Sequence, residues 1–359
     1  MKRIPVILFG AGGVGRALLQ QLIDSKYRVA ERNQIEFCVI AVTDSRSWLF
    51  APDGMGAGQL RDVLVAKKNG RSLNTTSTRP TDLEIVQQVA AAGIEQAVVV
   101  DVTAVSGMEP VINFAVEQGY GVALANKKAM AGPWATAQRF YNHSLVRHES
   151  TVGGGQPVIA ALRYLLDVND PIYAIEGQLS GSLGFICRQL DNDVPFSKAV
   201  AEAKALGFTE PDPRDDLGGM DAMRKVMILG RMADWPLEAS DIQVESLYTP
   251  DLADLSVADF MAQLPQLDTV MRQRVEAARA DGNVLRFVAE LQEGSGKVGL
   301  KLIPVGSPLA NLKYISFRTE RYNDEPLLIG GKGAGVEMTA AGVLGDMIDL
   351  VRENFKYGA

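Results

Sequence analysis

The sequence predicts an α/β protein in which a doubly wound parallel sheet is followed by a second, α+β domain. Short apolar runs alternate with segments of helical spacing as far as Gly155, and this alternation is typical of a parallel sheet with helices on both faces. A glycine-rich turn separates the first apolar run from the first helical segment. After Gly155 longer helical segments precede a strand-rich region, so we place the domain boundary at this glycine.

The individual elements are predicted from apolar periodicity and turn residues. In the first domain we predict strands at residues 6–9, 37–42, 96–101 and 121–125. Predicted helices there cover residues 16–25, 82–92, 110–118 and 127–141, and predicted loops cover residues 30–34 and 54–58. In the second domain we predict helices at residues 158–166, 184–206 and 221–232 and strands at residues 172–179 and within 284–305.

A last helix is predicted at residues 339–352, after a glycine-rich loop at residues 330–335. We expect this helix to pack back on the first domain. The predicted division is therefore a first domain at residues 1–155, joined by residues 339–359, and a second domain at residues 156–338.

Composition excludes several classes of protein. The chain has 359 residues, of which 47% are hydrophobic, and a net charge of −7, so no global basic field draws in nucleic acid or an anionic membrane. No apolar run is long enough for a signal peptide or a membrane span, and we expect a cytoplasmic protein. Cys38 and Cys187 are predicted to be buried thiols in a reducing compartment. Since His143 and His148 lack the spacing of metal ligands, proton transfer is expected from Lys, Asp or Glu.

The turn at residues 10–15 has the sequence pattern of a phosphate-binding loop. Gly10 allows the tight turn, Gly12 lets a pyrophosphate approach the backbone, and Gly15 lets the helix pack closely on the strand. Gly13 and Val14 lie in the same turn and are also expected to contact the cofactor, and the N-terminal N–H groups of the helix that follows favour an anion. The flanking strand and helix therefore predict a Rossmann-type fold that binds a dinucleotide; a glycine-rich turn of another α/β fold is the alternative.

The end of the second strand bears on the choice between NAD and NADP. Asp44 is placed to accept the ribose 2′-hydroxyl of NAD, whereas Arg46 is placed to accept the 2′-phosphate of NADP. The sequence leaves both cofactors open, with a slight preference for NADP, and a solvated Arg46 is the alternative. Thr103 and Lys127 also follow predicted strands, at positions that border a cofactor in open α/β sheets.

A loop rich in carboxylates precedes the helix predicted at residues 221–232. It contains Glu210 and Asp216, and the helix then places Asp221 and Lys225 four residues apart on one face. Such a pair is commonly a surface salt bridge. Crowded carboxylates repel one another unless a cation lies among them, and a substrate ammonium group, Lys225 or Lys127 could each serve.

Five separated segments of the chain resemble segments of homoserine dehydrogenase. They are residues 10–15, the Ala-Asn-Lys-Lys sequence at 125–128, the His-Glu-Ser-Thr-Val-Gly-Gly-Gly-Gln-Pro sequence at 148–157, and residues 210–225 and 333–346. The resemblance covers nearly the whole chain. It implies an NAD(P)-dependent interconversion of L-homoserine and L-aspartate 4-semialdehyde in threonine, methionine and isoleucine biosynthesis.

The resemblance also implies roles for particular residues. Lys225 matches the proton donor to the substrate oxygen, and Lys127 contacts cofactor and substrate and is a rival acid or base. Glu210 matches the residue that binds the amino acid substrate, and Asp216 and Asp221 line the same pocket.

Further implied positions concern the cofactor, a cation and the subunit partner. Gly207 and Gly335 match positions along the cofactor. Carbonyl oxygens are expected to hold a sodium ion, a hard cation, at four positions: Glu149, Val152, Gly154 and Gln156. The resemblance also implies a homodimer, with residues 1–155 as the dinucleotide-binding domain and residues 156–338 as the catalytic and dimerisation domain. The strands at residues 284–305 are the expected interface.

The chain departs from the family pattern in two respects. Ser182 and Gly184 stand where many members carry threonine and a polar residue, which concerns fine substrate contacts. The chain leaves no room for the regulatory or kinase domains of many relatives, so we expect no threonine feedback through such a domain. The alternative functions are a dehydrogenase of another short amino-acid semialdehyde and a non-catalytic dinucleotide sensor.

Overall fold

A computed structural model describes residues 1–73 and 78–355 of the chain. The chain divides into two compact units. Unit 1 comprises Met1–Ile159 and Ala334–Ala359, and unit 2 comprises Ala160–Gly333. Within the described residues, no helix combines the length and the apolar character that crossing a membrane requires.

Unit 1 contains a six-stranded, mostly parallel sheet. Its strands are β1 (Lys2–Phe9), β2 (Ile35–Thr43), β3 (Trp48–Phe50), β4 (Val98–Asp101), β5 (Gly121–Leu124) and β6 (Val146–Arg147), in the order β3-β2-β1-β4-β5-β6. Neighbouring strands are parallel except β2 and β3, so the predicted parallel sheet is confirmed and ends in an antiparallel edge strand that was not predicted. Strand order reverses between β1 and β4, which is where open sheets of this type bind ligands.

The helices of unit 1 before the boundary are α1 (Gly13–Asp24), α2 (Lys26–Asn33), α3 (Ala57–Lys68), α4 (Asp82–Ala91), α5 (Glu109–Glu117) and α6 (Trp134–Ala137). The helix predicted at residues 127–141 was wrong: only α6 and a 3₁₀ turn at Gln138–Phe140 form there. Pro133 has an extended backbone and cannot donate an N–H, so the helix begins after it. The loop predicted at residues 30–34 was also wrong, because α2 occupies most of it, and α3 was missed.

Unit 2 contains a second six-stranded sheet. Its strands are β7 (Ile172–Gly177), β8 (Ile242–Val244), β9 (Asn283–Gln292), β10 (Ser295–Pro304), β11 (Tyr314–Thr319) and β12 (Leu327–Gly330), in the order β12-β11-β7-β9-β10-β8. All neighbours are antiparallel except β10 and β8. The region at residues 284–305, predicted as strands, is the β9–β10 hairpin.

The helices that follow the boundary are α7 (Val158–Asp167), α8 (Gly181–Asp191), α9 (Phe196–Ala205), α10 (Arg214–Leu217), α11 (Met220–Met232), α12 (Val257–Gln263) and α13 (Asp268–Ala280). The single helix predicted at residues 184–206 was wrong, since α8 and α9 are separate. Asp193 has φ of +60° and Pro195 has an extended ψ of 143°, and neither conformation continues a helix.

The last helix, α14 (Val336–Asn354), belongs to unit 1. Its buried face, which includes Val343, Met347 and Leu350, joins the apolar core formed by β1, β4 and α1. Helix and sheet approach closely, because a Cβ placed on Gly121 of β5 would lie 3.2 Å from the side chain of Leu350. The amino end of α14 is thereby fixed beside the start of α1.

Candidate active site

The glycine loop of unit 1 joins β1 to α1. Gly10 has φ of +103°, in the region that favours glycine. A Cβ on Gly15 would lie 1.8 Å from the carbonyl oxygen of Gly10, so only glycine fits there. A Cβ on Gly12 would meet no atom within 4 Å, which shows that this side of the loop faces open space. Helix α1 begins at Gly13 without a side-chain cap or an acidic residue in its first turn, so its positive end is available to an anion.

A second helix of unit 1 begins at the same loop. Gly335 precedes α14 with φ of +112°, and a Cβ there would meet no atom within 4 Å. Val336 lies beside the loop, because its Cγ1 is 3.0 Å from the position of a Cβ on Gly13. The Gln21 side chain of α1 donates hydrogen bonds to the backbone and the carboxylate of Glu337. The starts of α1 and α14, which are far apart in sequence, therefore lie side by side at the glycine loop.

Both oxygens of the Asp44 carboxylate accept hydrogen bonds from other residues of unit 1. One of its oxygens accepts the backbone N–H groups of Arg46 and Ser47 at 2.8 and 2.7 Å, and the other pairs with Lys67 Nζ at 2.6 Å. Arg79 Nε donates to the Asp44 carbonyl at 2.6 Å. Burial alone raises the pKa of Asp44, but the hydrogen bonds from Lys67 and the two backbone groups outweigh it and lower the pKa. Arg79 also forms an ion pair with Asp82. Three cations, Arg46, Lys67 and Arg79, thus lie with two carboxylates at the end of β2, and we call this group, which has an excess of one positive charge, the cationic corner. Sequence reasoning missed Lys67 and Arg79 because they lie far along the chain.

A buried polar network connects the ends of β4 and β5. Asp101, 1% exposed, accepts the Thr103 N–H at 2.9 Å, the Thr103 hydroxyl at 2.7 Å and Asn126 Nδ2 at 3.0 Å. Asn126 also donates to the carbonyl of Val105 at 2.8 Å. Burial raises the pKa of the Asp101 carboxyl, and the hydrogen bonds only partly oppose this shift. The network fixes the backbone on which Thr103 and Lys127 are carried.

The loop from residues 148 to 157 is shaped by glycine and carboxylate contacts within unit 1. Gly153 and Gly154 have φ of +74° and +63°. A Cβ on Gly155 would lie 2.1 Å from the carbonyl oxygen of Met338, so this loop packs directly on α14. The Glu149 carboxylate accepts the N–H of Ile159 at 2.8 Å. Gln156 Nε2 is buried and has no hydrogen-bond partner among the described residues.

Lys225 of unit 2 is held between two acceptors. Its Nζ lies 2.7 Å from an oxygen of Asp221 and 2.7 Å from the carbonyl oxygen of Leu179. The predicted spacing on one face of α11 is therefore correct. The Lys225 side chain is 18% exposed, so the pair is not a fully solvated salt bridge.

Asp216 lies in the same part of unit 2 and is fixed by two donors. It accepts the Ser182 hydroxyl at 2.6 Å and the N–H of Glu210 at 2.8 Å, and the Glu210 residue itself is exposed. Ser182 Oγ is also 3.0 Å from Ser180 Oγ. Burial raises the pKa of the Asp216 carboxyl, the two hydrogen bonds oppose this, and nearby Asp221 adds to the rise. Sequence reasoning noted Ser182 only as a departure and missed its contact with Asp216.

Asp212, another acid of this loop, pairs with an arginine of the same loop. Asp212 pairs with Arg214 at 2.6 Å, and Arg214 donates to the carbonyls of Ala253 and Leu255 at 2.5 and 2.7 Å. The arginine holds the pKa of the Asp212 carboxyl below its usual value. The cation for this carboxylate is thus a neighbouring residue. Gly207, two residues after the end of α9, has φ of +71° and faces open space.

The predicted site residues fall into one group in each unit. Those in unit 1 are Gly10, Gly12, Gly13, Val14, Gly15, Asp44, Arg46, Thr103, Lys127, Glu149, Val152, Gly154, Gln156 and Gly335. Those in unit 2 are Gly207, Glu210, Asp216, Asp221 and Lys225.

Both units match models of one protein family. The homoserine dehydrogenase model matches residues 157–348, and the model of the NAD-binding domain of homoserine dehydrogenase matches residues 10–145.

Curated relatives extend this match over nearly the whole chain. The homoserine dehydrogenase of Saccharomyces cerevisiae is 34% identical, with 98% of this chain and 99% of the yeast protein covered. The chloroplastic bifunctional aspartokinase/homoserine dehydrogenase of Daucus carota is 38% identical over 97% of this chain. This chain spans only 38% of the carrot protein.

Solved structures show the same architecture. A Candida auris protein of unknown function has a TM-score of 0.85 at 33% identity over 99% of both chains. A hyperthermophilic archaeal homoserine dehydrogenase in complex with NADPH has a TM-score of 0.72 at 23% identity over 98% of both chains, a likeness of fold. From the family models and the yeast relative we conclude that the chain belongs to the homoserine dehydrogenase family, NAD(P)-dependent oxidoreductases that act on a CH–OH group.

Proposed function

We propose that this chain interconverts L-homoserine and L-aspartate 4-semialdehyde with NADP as the preferred cofactor, in the biosynthesis of threonine, methionine and isoleucine. The observation that carries the proposal is the ammonium group of Lys225, held at 2.7 Å from both Asp221 and a backbone carbonyl in a partly buried position. This geometry orients the Lys225 side chain, as a donor to a developing alkoxide requires.

Five polar residues of unit 2 have a role in this proposal. Lys225 stabilises and protonates the carbonyl oxygen during reduction, and Asp221 orients that lysine. The exposed Glu210 carboxylate binds the substrate ammonium group. Asp216 holds the Glu210 backbone through the 2.8 Å hydrogen bond and is itself fixed by Ser182.

Unit 1 would hold the dinucleotide, and its residues fit one. The open space at Gly12 and Gly335 and the uncapped end of α1 suit a pyrophosphate. When bound, the nicotinamide supplies or accepts the hydride. Lys127 remains a rival acid or base in this proposal, placed by its neighbour Asn126.

The cationic corner at the end of β2 favours NADP over NAD. The Asp44 carboxylate already accepts the Lys67 ammonium group and two backbone N–H groups, so it is a poor acceptor for a ribose hydroxyl. Lys67 and Arg79 are paired with Asp44 and Asp82, so the exposed Arg46 supplies the excess positive charge of the corner. A 2′-phosphate would complement this charge. Arg46→Ala should therefore narrow the preference for NADPH over NADH by about tenfold.

A sodium ion is proposed at the carbonyl oxygens of Glu149, Val152, Gly154 and Gln156. The donor set fits, because carbonyl oxygens bind hard cations and two consecutive residues with left-handed φ, Gly153 and Gly154, let a short loop turn several carbonyls to one side. Gln156 Nε2, which is buried and has no hydrogen-bond partner in the part of the chain that the structure describes, lies on this loop. The ion would stiffen the loop that packs on α14.

We also propose that unit 1 is the dinucleotide-binding domain, that unit 2 is the catalytic and dimerisation domain, and that the protein is a homodimer. The β9–β10 hairpin is the proposed interface. On it Lys301 pairs with Glu176 and Glu290 at 2.7 and 2.6 Å, and Leu302 and Val305 are exposed. Exposed apolar side chains around neutralised charges suit contact with a second copy.

The activity is tested by following NADPH and NADH oxidation with L-aspartate 4-semialdehyde and with a panel of other short semialdehydes. Turnover should be fastest with L-aspartate 4-semialdehyde and NADPH. Faster turnover with another semialdehyde would support the alternative dehydrogenase, and NADPH binding without any turnover would support the sensor.

Lys225→Met tests the role of the lysine in turnover. It should lower kcat by about 10²- to 10⁴-fold and leave NADPH affinity nearly unchanged, because the lysine acts in proton transfer. The matched control is Lys198→Met, at an exposed lysine of α9. An equal loss of NADPH affinity would remove Lys225 from the proposed role.

A further inference from the structure

Two basic side chains of unit 2, Arg188 of α8 and Lys313 before β11, converge on one small space. The space lies over Gly184 of α8. A Cβ placed on Gly184 would find Arg188 Nη1 at 3.6 Å and Lys313 Cε at 3.9 Å as the nearest side-chain atoms. The absence of a side chain at Gly184 therefore leaves room between a guanidinium and an ammonium group.

This space adjoins the proposed reaction site within unit 2. The turn from β7 to α8 runs beside Lys313, because Gln178 N donates to the carbonyl of Tyr314 at 3.0 Å. The same turn carries Leu179, whose carbonyl oxygen accepts Lys225 Nζ, and Ser182, which donates to Asp216. The two basic groups thus lie next to the groups that would meet the substrate.

The positive charges here are not balanced by the protein. In residues 1–73 and 78–355, neither the Arg188 guanidinium nor the Lys313 ammonium group forms an ion pair or a hydrogen bond. Burial lowers the pKa of Lys313, and the neighbouring charges that lower it further, Arg188 and Lys225, are both positive. Half-buried like charges repel one another and lose hydration, so the arrangement gains free energy when an anion enters.

We propose that Arg188 and Lys313 bind the α-carboxylate of the amino acid substrate. This inference rests on the proposed function, which supplies a short substrate with an amino group, a reacting oxygen and one carboxylate. Glu210 would hold the amino group and Lys225 the oxygen, and the carboxylate is the only substrate group left without a partner. The two basic residues then determine specificity for amino acids over simple amino alcohols.

The test compares L-homoserine with 3-amino-1-propanol, which has the same alcohol and amine but no carboxylate. Lys313→Met and Arg188→Met should each lower kcat/KM for homoserine by about tenfold to a hundredfold, because each removes a charge-assisted hydrogen bond. The loss should be mainly in KM. Values for 3-amino-1-propanol and for NADP should stay within about twofold, and Lys313→Arg should retain most of the homoserine activity.

Binding of L-2-aminobutyrate, measured by calorimetry, separates this inference from the proposed activity. In each Met variant the affinity for L-2-aminobutyrate should fall by about tenfold to a hundredfold, the factor expected for kcat/KM. This result is expected even if the wild-type protein oxidises no homoserine. Lys198→Met is the charge-matched control. Unchanged binding of L-2-aminobutyrate, or equal losses for homoserine and 3-amino-1-propanol, would overturn the carboxylate site.

Discussion

Alanine substitutions at two glycines of the same loop should have opposite consequences. Gly15→Ala places a Cβ 1.8 Å from the Gly10 carbonyl oxygen, whereas a Cβ contact closer than 3.0 Å is essentially never seen. The start of α1 and the end of β1 must therefore separate by about 1.2 Å, and both colliding groups are backbone. Overpacking of this kind costs about 1–3 kcal/mol. Gly15→Ala should therefore lower the free energy of unfolding by at least about 1 kcal/mol.

Gly12→Ala places its Cβ in open space, with no atom within 4 Å, at a φ of −77° that any residue adopts. Its free energy of unfolding should change by less than about 1 kcal/mol, and a small increase is expected because alanine restricts the unfolded chain. The new methyl group instead lies where a pyrophosphate would approach the backbone. Affinity for NADPH should fall by about tenfold or more, the effect of losing at least one charge-assisted hydrogen bond.

Urea unfolding without cofactor and fluorescence titration with NADPH measure the two effects separately. The expected pattern is a stable Gly12→Ala protein that binds NADPH weakly and a destabilised Gly15→Ala protein. Wild-type NADPH affinity in Gly12→Ala would refute the assignment of this loop to the pyrophosphate. Wild-type stability in Gly15→Ala would refute the packing argument.

Two further predictions concern buried titratable groups. Asp101→Asn should cost about 1–3 kcal/mol at pH 7, because the new amide would place a donor against Asn126, and urea unfolding measures this loss. Burial raises the pKa of Asp101, so its contribution to wild-type stability is greatest when protonated and declines as pH rises from near 3.8 through the raised value. The advantage of the wild type over Asp101→Asn should therefore shrink with rising pH in that window, and a growing advantage would contradict the assignment. Burial raises the pKa of Cys187 to about 11, so iodoacetamide at pH 8 should leave this thiol unmodified in the folded protein, as mass spectrometry of digested peptides would show; rapid modification would contradict its burial.

Local sequence patterns predicted β1, β2, β4 and β5 of the first sheet, β7 and the β9–β10 region of the second, and the spacing of Asp221 and Lys225. They missed the remaining strands, β3, β6, β8, β11 and β12. They failed where a single residue interrupts an otherwise helical pattern. Pro133 and Pro195 each lie directly before the start of a helix, at positions that the apolar period alone would place inside a longer one. The short segment around Ala30 forms a helix because it packs beside β2. Periodicity reports which face is apolar, whereas the length of a helix depends on these local backbone restrictions.

The two free cysteines illustrate the same limit. Both were predicted to be buried thiols, and Cys187 is buried, whereas Cys38 is only partly so. Cys38 lies in the apolar strand β2 but near the loop at Gly54, and Arg3 Nη2 approaches its sulfur at 3.0 Å. An apolar run predicts that a strand forms. The exposure of each side chain on that strand depends on which segments pack against it.

The sequence by itself determined the parallel sheet, the glycine loop after its first strand and the family, because these depend on residue types at short, fixed spacings. Only the tertiary structure decided that Lys67 pairs with Asp44 and that Ser182 donates a hydrogen bond to Asp216. It alone also placed the side chains of Arg188 and Lys313 next to Gly184. These partners come from distant segments, and the packing of helices on sheets brings them together. No spacing along the chain encodes such a contact, since the free energy of burying and pairing these charges exists only once the unit is folded.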